Sequence, residues 1–330
     1  MNVVIVTGCA GFIGSHFCER LLREDYKVIG IDNFDPLYDI ELKKKNLQEL
    51  SKDLRFEFYE MDLRTCPLGD LPWEGATLIH FAASAGVRPS VGSASAYVEN
   101  NIGVTTRLLE VAHQGGVKGV VIASSSSIYG NGDAGPHGFS ETTPTDCPIS
   151  PYAATKKACE LMAHTFYANF GLPIVCLRLF SAYGPRQRPD LAISKFMNLI
   201  LKGEPITLYG DGTMRRDFTY VGDLVDGILF AMTKGLTFGF RIYNLGNGKT
   251  VEVMTLVKKI EEVMGVKKLL IEFKEVPKGD VAMTHACISL AQKELGYDPK
   301  TDLDEGLLAQ WEWFSAQFCP DKAASLDPFH

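Results

Sequence analysis

Val6-Thr7-Gly8-Cys9-Ala10-Gly11-Phe12-Ile13-Gly14 is the stretch that decides the fold. It follows the apolar run Val3-Val4-Ile5-Val6, which reads as a β-strand. It opens a helical pattern from Ser15 to Arg23, with Phe17, Leu21 and Leu22 on one face. Glycines at 8, 11 and 14 lack a Cβ, so the chain can turn tightly and its backbone can approach a bound group closely. A helix starting there points unpaired N–H groups and the positive end of its dipole at that group, which suits a pyrophosphate. A glycine triplet alone predicts little; between a strand and a helix it predicts a dinucleotide-binding turn.

Outward from this turn the same alternation continues. Val28-Ile29-Gly30-Ile31, Phe56-Glu57-Phe58-Tyr59, Thr77-Leu78-Ile79-His80-Phe81, Gly119–Ala123 and Ile174–Leu179 read as strands. Thr105–His113 and Tyr152–Phe170 read as helices, the second ended by Gly171 and Pro173. Strands alternating with helices predict an α/β fold, a doubly wound parallel (Rossmann) sheet. Beyond Arg186 the pattern is less regular, with helices over Ile193–Lys202, Val221–Thr233 and Val253–Met264 among short strands and turns. We expect residues 1–180 to form the cofactor domain, with some later segments returning to it. Residues 181–330 are expected to form mainly a smaller mixed α/β substrate lobe.

Asp32 ends the second strand, 18 residues after Gly14. A carboxylate there accepts hydrogen bonds from the ribose hydroxyls of NAD and repels the extra phosphate of NADP. Asp62-Leu63, after the third strand, is placed to reach the adenine, although an aspartate there could equally cap the turn that follows.

Two further motifs carry chemistry. Ser124-Ser125-Ser126-Ser127 follows the fifth strand, at the carboxyl edge where parallel sheets bind ligands. Tyr152-Ala153-Ala154-Thr155-Lys156 places tyrosine and lysine four residues apart, on one face of a helix. A tyrosine with a pKa of about 10 is a poor base at neutral pH. A lysine ammonium and a positive nicotinamide beside it favour the phenolate. Tyr152 could then take a hydroxyl proton while a hydride leaves the same carbon, with a serine hydroxyl sharing the hydrogen bond.

Composition narrows the function class. The chain has 330 residues, of which 46% are hydrophobic and 22% charged, with a net charge of −7. That is too apolar for a disordered chain, and no apolar run approaches the 18–20 residues of a membrane span. A net negative charge argues against a nucleic-acid surface. The eight cysteines include no CxxC pair and no neighbouring histidine in metal-ligand spacing, so we expect free thiols, no metal and a reducing cytoplasm. The opening strand leads us to expect no signal peptide.

These residues together resemble the extended short-chain dehydrogenase/reductases, the NAD-dependent sugar-nucleotide epimerase/dehydratase group. The matching stretches are TGCAGFIGSH at 7–16, HFAASAG at 80–86, SSSSIYG at 124–130, YAATK at 152–156, LRLFSAYGPRQ at 177–187 and RRDFTYVGDL at 215–224. DNFDPLYD at 32–39, AGVRPS at 85–90, PISPYAATKKACELMAHTFY at 148–167 and GPRQRPDLA at 184–192 are most similar to the UDP-glucuronate 4-epimerase branch. The resemblance implies NAD as cofactor, held by Gly8, Gly11, Phe12, Ile13, Gly14, Asp32, Asn33, Asp62, Leu63, Phe81, Ala82, Ala83 and Asn101 along with Tyr152 and Lys156. It implies Tyr152, Lys156 and Ser125 as the catalytic set.

Reaction type follows from what stands beside Ser125. Dehydratases of the group carry an Asp-Glu pair at what are Ser126 and Ser127 here, and UDP-glucuronate decarboxylases carry a Glu at what is Ser127. Neither carboxylate is present, which leaves oxidation at C4 and hydride return to the other face. The resemblance implies a UDP-sugar substrate. It places Arg188, Ser181, Ser126 and Ser127 on a sugar carboxylate, Arg216 on the diphosphate, Tyr209 near the uracil, Arg88 along the sugar–phosphate channel, and Asp280 among the substrate residues. A guanidinium fork matches a carboxylate in bidentate geometry. UDP-glucose or UDP-N-acetylglucosamine 4-epimerisation, decarboxylation and a silent NAD-binding scaffold remain open alternatives. One departure from the family is Pro277 where many relatives carry an arginine, with Lys278 as the available substitute. His80 is expected to pack under the cofactor, not to act as a base, and His164 to be a packing or interface residue. The family also implies a homodimer built on the helices that include Thr105 and Tyr152.

Overall fold

The computed structural model describes residues 2–266, 269–277 and 279–319. In chain order the first half runs β1 (Val3–Thr7), α1 (Phe12–Arg23), β2 (Lys27–Asp32), α2 (Ile40–Gln48), β3 (Phe56–Glu60), β4 (Thr77–His80), α3 (Val87–Val91), α4 (Ala94–Tyr97), α5 (Val104–Gln114), β5 (Gly119–Ser125), α6 (Pro151–Phe170) and β6 (Ile174–Leu179). The second half runs β7 (Ser181–Tyr183), α7 (Ala192–Lys202), β8 (Ile206–Tyr209), β9 (Arg215–Arg216), β10 (Phe218–Tyr220), α8 (Val221–Thr233), β11 (Phe240–Leu245), β12 (Val251–Glu252), α9 (Val253–Met264), β13 (Ile271–Lys274), α10 (Ser289–Leu295) and α11 (Leu303–Phe318).

The main sheet has seven strands in the order β11-β6-β5-β4-β1-β2-β3, and every pairing in it is parallel. From β1 the chain winds one way to β2 and β3, then returns to β4 and winds the other way. The carboxyl ends of β1 and β4 therefore flank the switch point, where open parallel sheets leave a crevice. One face is sealed by α1 and α8 through Phe17, Leu21, Leu224 and Ile228, all inaccessible to solvent. The other is sealed by α5 and α6 through Leu108, Leu109 and Ala163. Burying a side chain of this size contributes ~1.5–3 kcal/mol.

Strand β11 forms the sheet edge beside β6, and α8 covers the first face. A separate apolar cluster, with Ile193, Met197, Leu256, Ile260, Leu307 and Trp311 at its centre, holds α7, α9 and α11 together as the second lobe. Among the described residues no helix is long and apolar enough to cross a membrane, and no group of three acidic, histidine or cysteine side chains is placed to hold a metal.

Candidate active site

A cavity of about 940 Å³ runs along the carboxyl edge of the sheet and under the second lobe. Its floor is the glycine turn. Gly8 sits at φ +72°, and a Cβ on Gly14 would lie 2.1 Å from the Gly8 carbonyl oxygen, so a side chain at 14 would force helix and turn apart. No side chain caps α1 at Gly11. Its first-turn N–H groups thus remain available to an anion, and Phe12 and Ile13 line the cavity.

Asp32 is buried at the end of β2. It accepts from the backbone N–H groups of Ala10 (3.1 Å) and Phe34 (2.9 Å). Burial raises its pKa above the usual carboxylate range, against the pull of Lys43 and those two amides. Asn33, Asp62, Leu63, Phe81, Ala82 and Ala83 line the same stretch. Asp62 is gripped by Arg64 (2.6 and 3.0 Å), which holds its pKa low. The uncapped helix, the cradle that a Cβ would fill and the acidic strand end fit a dinucleotide such as NAD.

Tyr152 and Lys156 stand on the first turns of α6, started by Ser150, whose hydroxyl accepts from the Ala153 N–H (3.2 Å), with Pro151 at the first helical position. Lys156 is buried and donates to the Ala123 carbonyl at the end of β5 (2.7 Å). Tyr97 packs edge-on against Tyr152 at 6.2 Å. Ser125 accepts from both the N–H (3.2 Å) and the hydroxyl (2.9 Å) of Ser127. Its own proton is left to donate into the cavity that it lines with Tyr152 and Lys156. His80 bridges Thr7 (2.8 Å) and Thr105 (3.1 Å) under the turn. Burial, helped by the Lys156 charge, pushes its pKa down to about 3, so it is neutral and unsuited to proton transfer at neutral pH. His164 is exposed and sets its ring edge-on to Phe240.

Three expected site residues stand elsewhere. Ser126 and Ser127 are not among the residues lining the cavity, because the chain leaves β5 in a tight 3₁₀ turn over Ser126–Tyr129 that folds Ser127 back onto Ser125. Asn101 is buried behind the wall. It accepts from the Ser84 N–H (2.8 Å) and donates to the Ser84 carbonyl and the Thr155 hydroxyl (both 3.0 Å). The π-helical turn Val98–Gly103 rotates the register there, so that Asn100 faces the cavity.

The substrate end holds Arg88, Ser181, Arg188, Tyr209, Arg216 and Asp280 in one cavity. Arg88 pairs with Asp280 (2.6 Å) and lies 4.2 Å over the Tyr209 ring. Arg188 is forked onto Asp190 (2.9 and 2.6 Å). Arg216 has no carboxylate within ion-pair distance among the described residues; it donates to the carbonyls of Arg215, Val281 and Ala282. Burial lowers its pKa, opposed by Asp280 and reinforced by Arg88, the mark of a cation short of countercharge. Arg215 is exposed and paired with Glu252, as a solvated charge would be. Lys278 lies outside the described residues. The sequence did not point to Tyr38, whose hydroxyl is buried without a hydrogen-bond partner at the cavity wall, or to Asp190 and Lys195. Tyr38 and Asp190 fall within the family-like stretches 32–39 and 184–192, but nothing in those stretches singled them out.

Residues 4–246 match the NAD dependent epimerase/dehydratase family. The chain is 40% identical over 317 residues to a UDP-glucuronate 4-epimerase of Thermodesulfobacterium geofontis (strain OPF15), covering 95% of this chain and 96% of that one. The solved structure of UDP-glucuronic acid 4-epimerase from Bacillus cereus in complex with UDP-glucuronic acid and NAD has a TM-score of 0.90 at 35% identity, over 96% of this chain and 100% of that chain. DesIV, a dTDP-glucose 4,6-dehydratase from Streptomyces venezuelae with NAD bound, has a TM-score of 0.88 at 30% identity, over 96% and 99%. With its glycine turn, its Tyr152/Lys156 helix and this breadth of match, the chain belongs to the NAD dependent epimerase/dehydratase family.

Proposed function

We propose that the chain is a UDP-glucuronate 4-epimerase, interconverting UDP-glucuronate and UDP-galacturonate. One observation carries the choice within the family: the end of β5 brings the hydroxyl residues Ser124 and Ser125, and no carboxylate, to the cavity that Tyr152 lines, while an arginine fork, Arg188, lines it too.

The glycine turn and Asp32 would hold NAD, which would supply the hydride acceptor and donor for C4 of the sugar. The protein handles the proton. Tyr152 takes it from the C4 hydroxyl and returns it, Lys156 keeps a positive charge next to the phenolate, and Ser125 shares the hydroxyl's hydrogen bond. The 4-keto sugar carries a carboxylate on the neighbouring carbon, so it is a β-keto acid prone to lose CO2. Arg188, with Ser181, holds that carboxylate so that the C5–C6 bond stays out of line with the ketone π system. The keto sugar turns over while Arg216 and Arg88 anchor the diphosphate, with Tyr209 beside the uracil.

The Asp190 partner of Arg188 favours a second reading, a neutral-sugar 4-epimerase in which that pair is never opened. Chromatography of UDP-glucuronate and UDP-glucose incubated with the protein separates the two. UDP-galacturonate without CO2 supports the first, and turnover of UDP-glucose alone supports the second. We further propose a cytoplasmic homodimer joined through α5 and α6. Leu161 and Phe170, exposed apolar residues on α6, support that surface.

A further inference from the structure

We propose that Asp190 is an internal stand-in for the substrate carboxylate, exchanged for it on binding, and that the Tyr38 hydroxyl receives the displaced Asp190. The inference rests on the proposed placement of the sugar carboxylate at Arg188.

Four observations lead to it. The Arg188 guanidinium presents Nε and Nη2 to the two oxygens of Asp190 at 2.9 and 2.6 Å, the bidentate geometry that it would offer a sugar carboxylate. The pair is asymmetric in burial: 16% of the Arg188 side chain is exposed against 44% for Asp190. Asp190 is therefore the freer partner and can swing away while Arg188 stays in the cavity wall. The two residues stand two positions apart in the loop that precedes α7, so the carboxylate can move without unfolding an element. Finally, Tyr38 lines the same cavity with a buried hydroxyl that has no partner, and both Arg188 and Asp190 act on it electrostatically.

The exchange gives a rule for selectivity. A buried guanidinium without a partner would carry a desolvation penalty, and Asp190 removes it while the site is free. A uronate replaces one carboxylate by another, so Arg188 is never left bare. A neutral sugar has nothing to offer Arg188 in return and leaves the pair closed. The hydroxyl of Tyr38 then gains the acceptor that it lacks, which stabilises the opened loop only when a uronate is bound.

Calorimetric titration of the NAD-loaded protein with UDP-glucuronate and with UDP-glucose tests this. Removing the competitor in Asp190→Asn, with Asp190→Ala as a variant that keeps no hydrogen bond to Arg188, should tighten UDP-glucuronate about fivefold (~1 kcal/mol). UDP-glucose binding should not change. Tyr38→Phe should weaken UDP-glucuronate a few-fold on its own and have no effect when Asp190 is already replaced. Unchanged or weaker UDP-glucuronate binding in the Asp190 variants, or an equal change for both sugars, overturns the exchange. An equal Tyr38→Phe effect in both backgrounds overturns the hand-over to Tyr38. Product formation by the unaltered protein reads the epimerase proposal separately, so either can fail alone.

Discussion

The Lys156 ammonium donates to the carbonyl oxygen of Ala123 at 2.7 Å and so ties α6, the helix that carries Tyr152, to the end of β5, next to Ser125. That bond fixes the height of Tyr152 over the cavity and keeps a positive charge one turn from the phenol. Tyr152→Phe should lower kcat by about 10²–10⁴-fold, the usual worth of a positioned acid–base group, with UDP-glucuronate affinity nearly intact. Steady-state kinetics alongside titration of the variant check this; a variant with near-normal kcat removes Tyr152 from the proton path.

Arg188→Ala should raise KM for UDP-glucuronate at least tenfold, or release CO2 from it, while UDP binding holds. Headspace CO2 and KM are the readouts, and no change in either means that the carboxylate sits elsewhere. On the proposed diphosphate contact, Arg216→Ala should instead weaken UDP itself by about tenfold or more, because a diphosphate would give Arg216 the close anionic partner that no described carboxylate provides.

Glu160 accepts from Arg178 at 3.0 and 2.9 Å and from the Ser124 hydroxyl at 2.6 Å, all of it buried beneath Ser125. Glu160→Ala leaves the Arg178 charge unpaired in the core and should cost about 3–5 kcal/mol in urea unfolding. Replacing both residues by apolar ones should recover part of that loss. A Glu160→Ala protein of normal stability would contradict the reading.

His80 supplies a pH dependence. Its pKa falls from the ordinary 6.5 to about 3 on folding, so between those values the unfolded chain binds more protons than the folded one. Stability therefore rises with pH across that window, is fully present above about pH 6.5 and is lost as the pH falls toward 3. By pH 5 the loss is roughly 2 kcal/mol. Thermal unfolding at pH 7 and pH 5 should show a steeper drop in Tm for the unaltered protein than for His80→Gln. Parallel drops would remove His80 as the cause.

Much of the cofactor half was legible because its constraints are local. Gly8 and Gly14 stand where a Cβ cannot, and the tyrosine–lysine spacing is set by one helical turn. The parallel order of the strands followed from their alternation with helices. What stayed hidden depends on backbone register. A single π-helical turn moved Asn101 from the cavity to the wall and brought Asn100 in. A 3₁₀ turn withdrew Ser126 and Ser127, which the run of four serines had suggested would line the site. Tyr38 and Asp190 lie in loops without periodicity, so their meeting at Arg188 is a tertiary event that no local pattern announces. The pairing of Arg88 with Asp280, 192 positions away, is another such event.

In the proposed reaction one hydride leaves C4 and returns to the same carbon on its other face, with the carboxyl group kept. Proton and carbon NMR of UDP-glucuronate incubated with the protein in deuterated water tests it most directly. The expected result is UDP-galacturonate with hydrogen, not deuterium, at C4 and all six sugar carbons retained. A UDP-pentose with released CO2, or deuterium at C4, would contradict it.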